Sequence, residues 1–108
     1  MSKKTLYRIT FSYLDAVYEI YARKVSESDL FGFLAVEEFI FGENSSLVVD
    51  PAEERLKLEF NSVKRTFIPM HAVFRIDEVD KQGVAKVRDK FPDSNKVTMF
   101  PVPGKSKD

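Results

Sequence analysis

One histidine, one pair of adjacent glutamates and a few cations near phenylalanines are the residues that could carry chemistry. The chain has no cysteine, which excludes Cys–His catalysis and disulfides. A Ser-His-Asp arrangement could use only His71, and no Gly-x-Ser-x-Gly turn accompanies it. Carboxylates cannot be placed beside this lone histidine, so we expect no metal site and no cofactor.

The glutamate pair, Glu37 and Glu38, is the one candidate for acid/base chemistry. Neighbouring residues of a strand point to opposite faces, so these two carboxylates cannot act on one substrate. We expect one of them to be solvated and the other to form an ion pair. The sequence therefore predicts no catalytic residue and no enzyme.

Several cations lie near Phe67 and Phe74. Cations beside aromatic rings suit single-stranded RNA, which is bound by phosphate contacts and base stacking. The formal net charge of zero is unusual for a dedicated nucleic-acid binder, and we place both phenylalanines in the core. The candidate contact residues, for RNA or for a protein partner, are Lys64, Arg65, His71 and Arg75.

The stretch that carries these residues is typical of a strand, a tight turn and a second strand. Pro69 has no amide hydrogen, so a central strand cannot run through it. We predict that one strand ends at Ile68, that residues 70–72 form a single turn, and that an alternating strand begins at Val73. In such a turn His71 is expected to be a structural histidine bonded to the backbone.

Alternation of apolar and polar side chains predicts two earlier strands, 7–13 and 16–23, which are close enough to form a hairpin. Residues 30–41 fit either a strand or a helical stripe. We choose a strand because Gly32 disfavours a helix by about 1 kcal/mol relative to Ala. The short apolar run 47–49 is typical of an edge strand.

The strongest local signal in the chain is Asp50-Pro51-Ala52-Glu53. Asp50 can cap a helix, Pro51 suits the first helical position, and Glu53 occupies the third position of a capping box. We predict a helix from Pro51 to about Asn61, with a last short strand over 84–87.

Together these elements predict a mainly-β (α+β) domain. Its expected form is a small SH3-like or Sm-like bent sheet or barrel of about five antiparallel strands with one inserted helix. The length of 108 residues suits a single domain, which we place at 4–88. Residues 89–108, rich in proline and charge, are expected to be a loosely ordered tail.

Charge and hydropathy limit the kinds of partner that the chain is expected to bind. Residues 1–54 contain 5 Lys/Arg and 10 Asp/Glu, whereas residues 55–108 contain 12 and 7. The basic half could face an anionic partner, but we favour pairing between the halves or a charged tail. No apolar run reaches the roughly 18 residues of a membrane span, and no signal peptide is recognisable. We expect a cytoplasmic protein with no membrane contact.

Residues 7–87 resemble a family of short proteobacterial proteins that share a domain of unknown function, DUF1820. The segments that carry the resemblance are Val-Tyr-Glu-Ile-Tyr-Ala-Arg at 17–23, Phe-Gly-Glu at 41–43, Ser-Ser-Leu-Val-Val-Asp-Pro at 45–51 and Lys-Arg-Thr-Phe-Ile-Pro-Met-His-Ala-Val at 64–73. This resemblance implies no activity.

Residues 67–73 are also similar to a segment of the bacterial Sm-like RNA chaperone. His71-Ala72-Val73 matches its His-Ala-Ile, but Met70 stands where the chaperone has an RNA-contacting lysine. The resemblance implies a small barrel that forms rings or pairs through its strand edges. We therefore expect a non-enzymatic module that binds a protein partner or a second copy of itself. An Sm-like RNA-binding protein is the alternative, and a small enzyme using His71 comes third.

Overall fold

The structure, a computed structural model, describes residues 5–42 and 50–90. These ranges form one antiparallel sheet with one helix packed against it, which confirms the predicted mainly-β class. The predicted strand over 47–49 and the tail beyond residue 90 lie outside the described residues. The elements are β1 (Tyr7–Tyr13), β2 (Ala16–Glu27), β3 (Phe33–Ile40), α1 (Pro51–Glu59), β4 (Arg65–Pro69), a 3₁₀ turn (Met70–Ala72), β5 (Val73–Glu78) and β6 (Lys86–Asp89).

Strand β2 is the centre of the sheet, and the strand order is β4-β3-β2-β1-β5. Residues 16–22 of β2 pair with β1 along one side. The other side pairs with β6 over 16–19 and with β3 over 21–27. Since β4 and β5 remain at opposite ends of this order, the described strands form an open sheet and not a closed barrel.

The hairpin of β1 and β2 has the predicted position, with Leu14 in the left-handed region at φ 56° in its turn. Strand β2 continues to Glu27, past the predicted end at Arg23, because Val25 pairs with Val36 and packs against the core. The ambiguous segment 30–41 contains strand β3, which confirms the prediction of a strand over that of a helix.

The core lies between the sheet and the helix. Its largest fully buried side chains are Ile9, Ile20, Val36 and Leu56. The first two face each other across β1 and β2, and Leu56 comes from the helix. The hydrophobic effect on these side chains therefore fixes which face of the sheet the helix covers.

The helix begins as the sequence predicts. The Asp50 side chain accepts hydrogen bonds from the amides of Ala52, at 2.9 Å, and Glu53, at 3.2 Å, and Pro51 occupies the first turn. The helix ends at Glu59, before the predicted Asn61, and the Phe60 ring then packs at a tilt against Phe39, with ring centroids 4.8 Å apart.

Glu53 is a buried carboxylate that connects three parts of the chain. Its Oε2 accepts hydrogen bonds from the amides of Gly42, at 3.2 Å, and Ala85, at 3.1 Å. The Ala85 amide is therefore bonded to the helix and not to a strand ladder. This explains why β6 begins at Lys86, two residues later than the sequence predicts.

Replacing Glu53 with alanine is expected to lower the free energy of unfolding by roughly 2–4 kcal/mol, because both amides lose a charged acceptor. Glu53→Gln keeps an acceptor oxygen and should lose less. Urea denaturation measures both changes. The control is Leu58→Ala, at a side chain 76% exposed on the same helix. Equal stability of Glu53→Ala and the control would contradict this role.

Candidate functional site

An open groove of about 740 Å³ lies between the β1–β2 hairpin, the end of α1 and strand β4. Its volume is within the range of small-molecule sites, roughly 300–1,000 Å³. The aromatic side chains that line it are Phe11, Tyr13, Tyr18, Phe60, Phe67 and Phe74. The groove is therefore largely apolar, and its ionisable lining residues besides the two tyrosines are Glu59, His71 and Lys90.

Tyr18 is the anchor of one groove wall. Its ring stacks on Phe11 with centroids 5.2 Å apart and meets Tyr13 edge-on at 5.9 Å. Its hydroxyl donates to both Glu59 carboxylate oxygens at 3.3 Å. Burial first, and then the neighbouring Glu59 charge, raise the pKa of Tyr18 above its ordinary value. This hydrogen bond joins the hairpin to the end of the helix.

The opposite wall is strand β4, of which four consecutive residues, Thr66–Pro69, line the groove. Neighbouring residues of a strand direct their side chains to opposite faces of the sheet. Four consecutive residues can therefore line one groove together only along the backbone edge of the strand. No described strand pairs with this side of β4. Unpaired backbone groups therefore lie along the aromatic groove.

The direction of these backbone groups follows from one hydrogen bond. The Met70 amide donates to the Gly32 carbonyl at 2.9 Å, on the side of β3. Backbone groups alternate along a strand, so Ile68 also directs its amide toward β3, and Phe67 directs its own toward the groove. Pro69 then occupies an outward position, where its missing amide hydrogen removes no ladder bond.

Arg65, predicted as a contact residue, forms an ion pair with the neighbouring strand. Its Nε lies 3.1 Å from Oε2 of Glu37, and its Nη2 donates to Oε1 at 3.2 Å. Glu38 is exposed with φ 59°. The expectation of one paired and one solvated glutamate is confirmed. The Arg65 hydrogen bond is the main cause that lowers the pKa of Glu37, and the charge of Lys64, which is exposed beside this pair, adds a smaller effect.

Arg75 lies on β5 and is also paired. Its Nε is 3.1 Å from Oδ2 of Asp77, and Arg8 Nη2 approaches the same oxygen at 2.7 Å. The structure therefore does not gather Arg65 and Arg75 into an unpaired basic patch. Each arginine faces a carboxylate on its own part of the sheet.

His71 lies in the 3₁₀ turn, is exposed and lines the groove. Its side chain forms no hydrogen bond with any residue in the described ranges. The expectation of a structural histidine bonded to the backbone is thus wrong. The turn is held instead by the Met70 amide and by the Val73 amide, which donates to the Met70 carbonyl.

Phe67 and Phe74 are not core residues, contrary to the sequence prediction. Their exposed fractions are 39% and 57%, and both line the groove. The sequence also did not single out Tyr13, Tyr18 or Glu59. One signal in the sequence could have indicated an aromatic surface site. The chain contains 10 Phe and 4 Tyr, which is more aromatic residues than are buried in the core.

Residues 5–42 and 50–90 contain neither a metal-binding cluster nor a membrane-spanning helix. Within the described part of the chain, no group of three or more His, Asp or Glu side chains is arranged to hold a metal ion. No helix in these ranges has the length and apolar character needed to cross a bilayer.

The ion pair of Arg8 and Asp77 should make the stability of the fold depend on pH. The Arg8 hydrogen bond, and then that from Arg75, lower the pKa of Asp77 below its ordinary value of 3.8. A lowered pKa stabilises the fold above that ordinary value, and this contribution is lost as the pH falls through the folded-state value. Arg8→Ala should therefore raise the Asp77 pKa, and Arg75→Ala should raise it less.

NMR titration of the Asp77 carboxyl carbon measures this shift, with the exposed Arg55→Ala as control. An Asp77 pKa unchanged by Arg8→Ala would contradict the ion pair.

Comparison with known proteins gives one match. The family model described as "Domain of unknown function (DUF1820)" matches residues 5–102. No curated protein and no solved structure matches the chain. The family match spans all the described elements and confirms the resemblance carried by residues 64–73 and the other segments. The chain belongs to the DUF1820 family.

Proposed function

We propose that this protein is a non-catalytic cytoplasmic module that binds an extended, apolar segment of a protein partner. The observation that carries the proposal is the open edge of β4 beside the aromatic groove. A peptide added to an open strand edge gains backbone hydrogen bonds, and its alternate side chains enter the adjoining pockets. Both elements of that binding mode lie side by side here.

The partner's chemistry follows from the groove. Its aromatic lining, including Phe67 and Phe74, suits aliphatic or aromatic side chains at alternate positions of a strand. The outward amide of Phe67 offers one backbone donor. In this function His71 contributes to the groove surface and is not catalytic, since no described carboxylate forms an ion pair with it.

RNA binding has weaker support than peptide binding. RNA needs cations that are free to meet phosphates, whereas Arg65 and Arg75 are each engaged by a carboxylate. Peptide binding is therefore the better-supported function, and RNA binding is the alternative result of the experiment below.

Selection from a library of displayed peptides is expected to enrich sequences with apolar residues at every second position. Phe67→Ala should weaken the selected peptide about tenfold, the effect of a buried aromatic anchor. Phe31→Ala, at a fully exposed ring outside the groove, is the matched control. Fluorescence anisotropy measures these affinities.

Methylated backbone nitrogens in the peptide identify the binding mode. N-methylation at every second residue should abolish binding, and methylation at the intervening residues should not, because only alternate amides face β4. Equal tolerance of both series would contradict strand addition. Failure to select any peptide, together with RNA binding that Lys64→Ala and Arg65→Ala weaken, would contradict the proposed function.

A further inference from the structure

The outer edge of β5 is a second open edge, separate from the groove edge of β4. Strand β5 pairs with β1, and no described strand lies on its other side. Ile76 is 38% exposed on this edge strand although it lies directly opposite the fully buried Ile9. Proteins usually protect such an edge, because unpaired strand edges associate.

The backbone direction along β5 follows from a hydrogen bond just beyond its end. The Val79 amide donates to the Leu6 carbonyl at 2.8 Å. Alternation then directs the amides of Arg75 and Asp77 toward β1 and that of Ile76 toward the open edge. Phe74 has no partner on β1, because the register shifts at that point.

The charges beside Ile76 are arranged so that the edge is complementary to itself. In an antiparallel pair related by a two-fold axis through Ile76, Arg75 lies directly opposite Asp77 of the partner subunit. An axis through Arg75 would instead place arginine opposite arginine, and an axis through Asp77 would oppose two carboxylates. Like charges directly opposite each other destabilise a sheet, whereas opposite charges stabilise it.

The same axis also satisfies the backbone. Outward-facing residues pair only with outward-facing residues, and a self-paired Ile76 would exchange both of its backbone hydrogen bonds with its own copy. The two Ile76 side chains then lie on one face of the joined sheet, which removes exposed apolar surface from water. Backbone, charge and apolar contact therefore select the same register.

We infer that two copies of this chain associate through β5, with a two-fold axis at Ile76, to form one sheet that is continuous across both copies. Arg8 supports this arrangement, because its 2.7 Å contact holds Asp77 in place when Arg75 turns toward the partner. The interface is isologous, the commonest type in symmetric dimers. It involves no residue of the β4 edge.

Sedimentation equilibrium of the full chain over a concentration series tests the inference. The expected result is a monomer–dimer equilibrium whose dissociation constant rises at least tenfold in Arg75→Glu, because the new carboxylate opposes the partner's Asp77. Arg55→Glu, at an exposed arginine on α1, is the matched control and should leave the constant unchanged. Arg75 does not line the groove, so peptide binding should also be unchanged in Arg75→Glu.

Mixing two variants tests the register itself. Arg75→Glu and Asp77→Arg should each dimerise poorly alone and should form a heterodimer when mixed, since every crosswise pair is then of opposite charge. Asp77→Arg removes the Arg8 acceptor and can impair folding, so a second readout uses the unmodified chain. Hydrogen exchange of the Ile76 amide should slow as protein concentration rises.

A chain that remains monomeric up to about 1 mM would overturn the inference. So would a dimer that Arg75→Glu does not weaken, or an Ile76 amide whose exchange is independent of concentration. Loss of dimerisation with peptide binding intact would still leave the proposed function standing.

Discussion

The two outer strands of the sheet are joined by one short turn, and this connection constrains the rest of the structure. Pro69 ends β4 and the 3₁₀ turn of residues 70–72 leads directly into β5. The Met70 amide fixes that turn to the Gly32 carbonyl at the start of β3. The strands at opposite ends of the hydrogen-bonded order are therefore neighbours at one corner, yet they do not pair with each other.

This corner gives the two open edges different surroundings. The β4 edge faces inward, along a groove bounded by the hairpin and by the end of α1. The β5 edge carries alternating charges on one face and Ile76 on the other. An edge within an aromatic groove suits a peptide, whereas a self-complementary edge suits a second copy. The proposed partner and the inferred dimer thus use different edges of one sheet.

Local sequence signals predicted most of the fold. Pro69 identified the corner, Asp50 and Pro51 identified the start of the helix, and alternation identified β1 and most of β2. Each of these signals acts within a few residues. The start of β6 could not be predicted in this way, because it depends on the bond from the Ala85 amide to Glu53, 32 residues away.

The groove was harder to predict than the fold. Hydrophobicity alone places Phe67 and Phe74 in a core, and only the open sheet leaves them exposed. The pairing of Arg65 with Glu37 and of Arg75 with Asp77 likewise depends on register and on side-chain reach across a sheet face. Residue type alone identified the candidate cations, but it could not show which of them are already paired with a carboxylate.

The most direct test of the account is residue-resolved hydrogen exchange along β4 and β5, in dilute Arg75→Glu protein without peptide. Open edges predict that the outward amides of Phe67 and Ile76 exchange quickly, while those of Ile68 and Asp77, bonded within the sheet, exchange slowly. Slow exchange at Phe67 and Ile76 in that monomeric state would mean that both edges are already paired, and it would contradict the account.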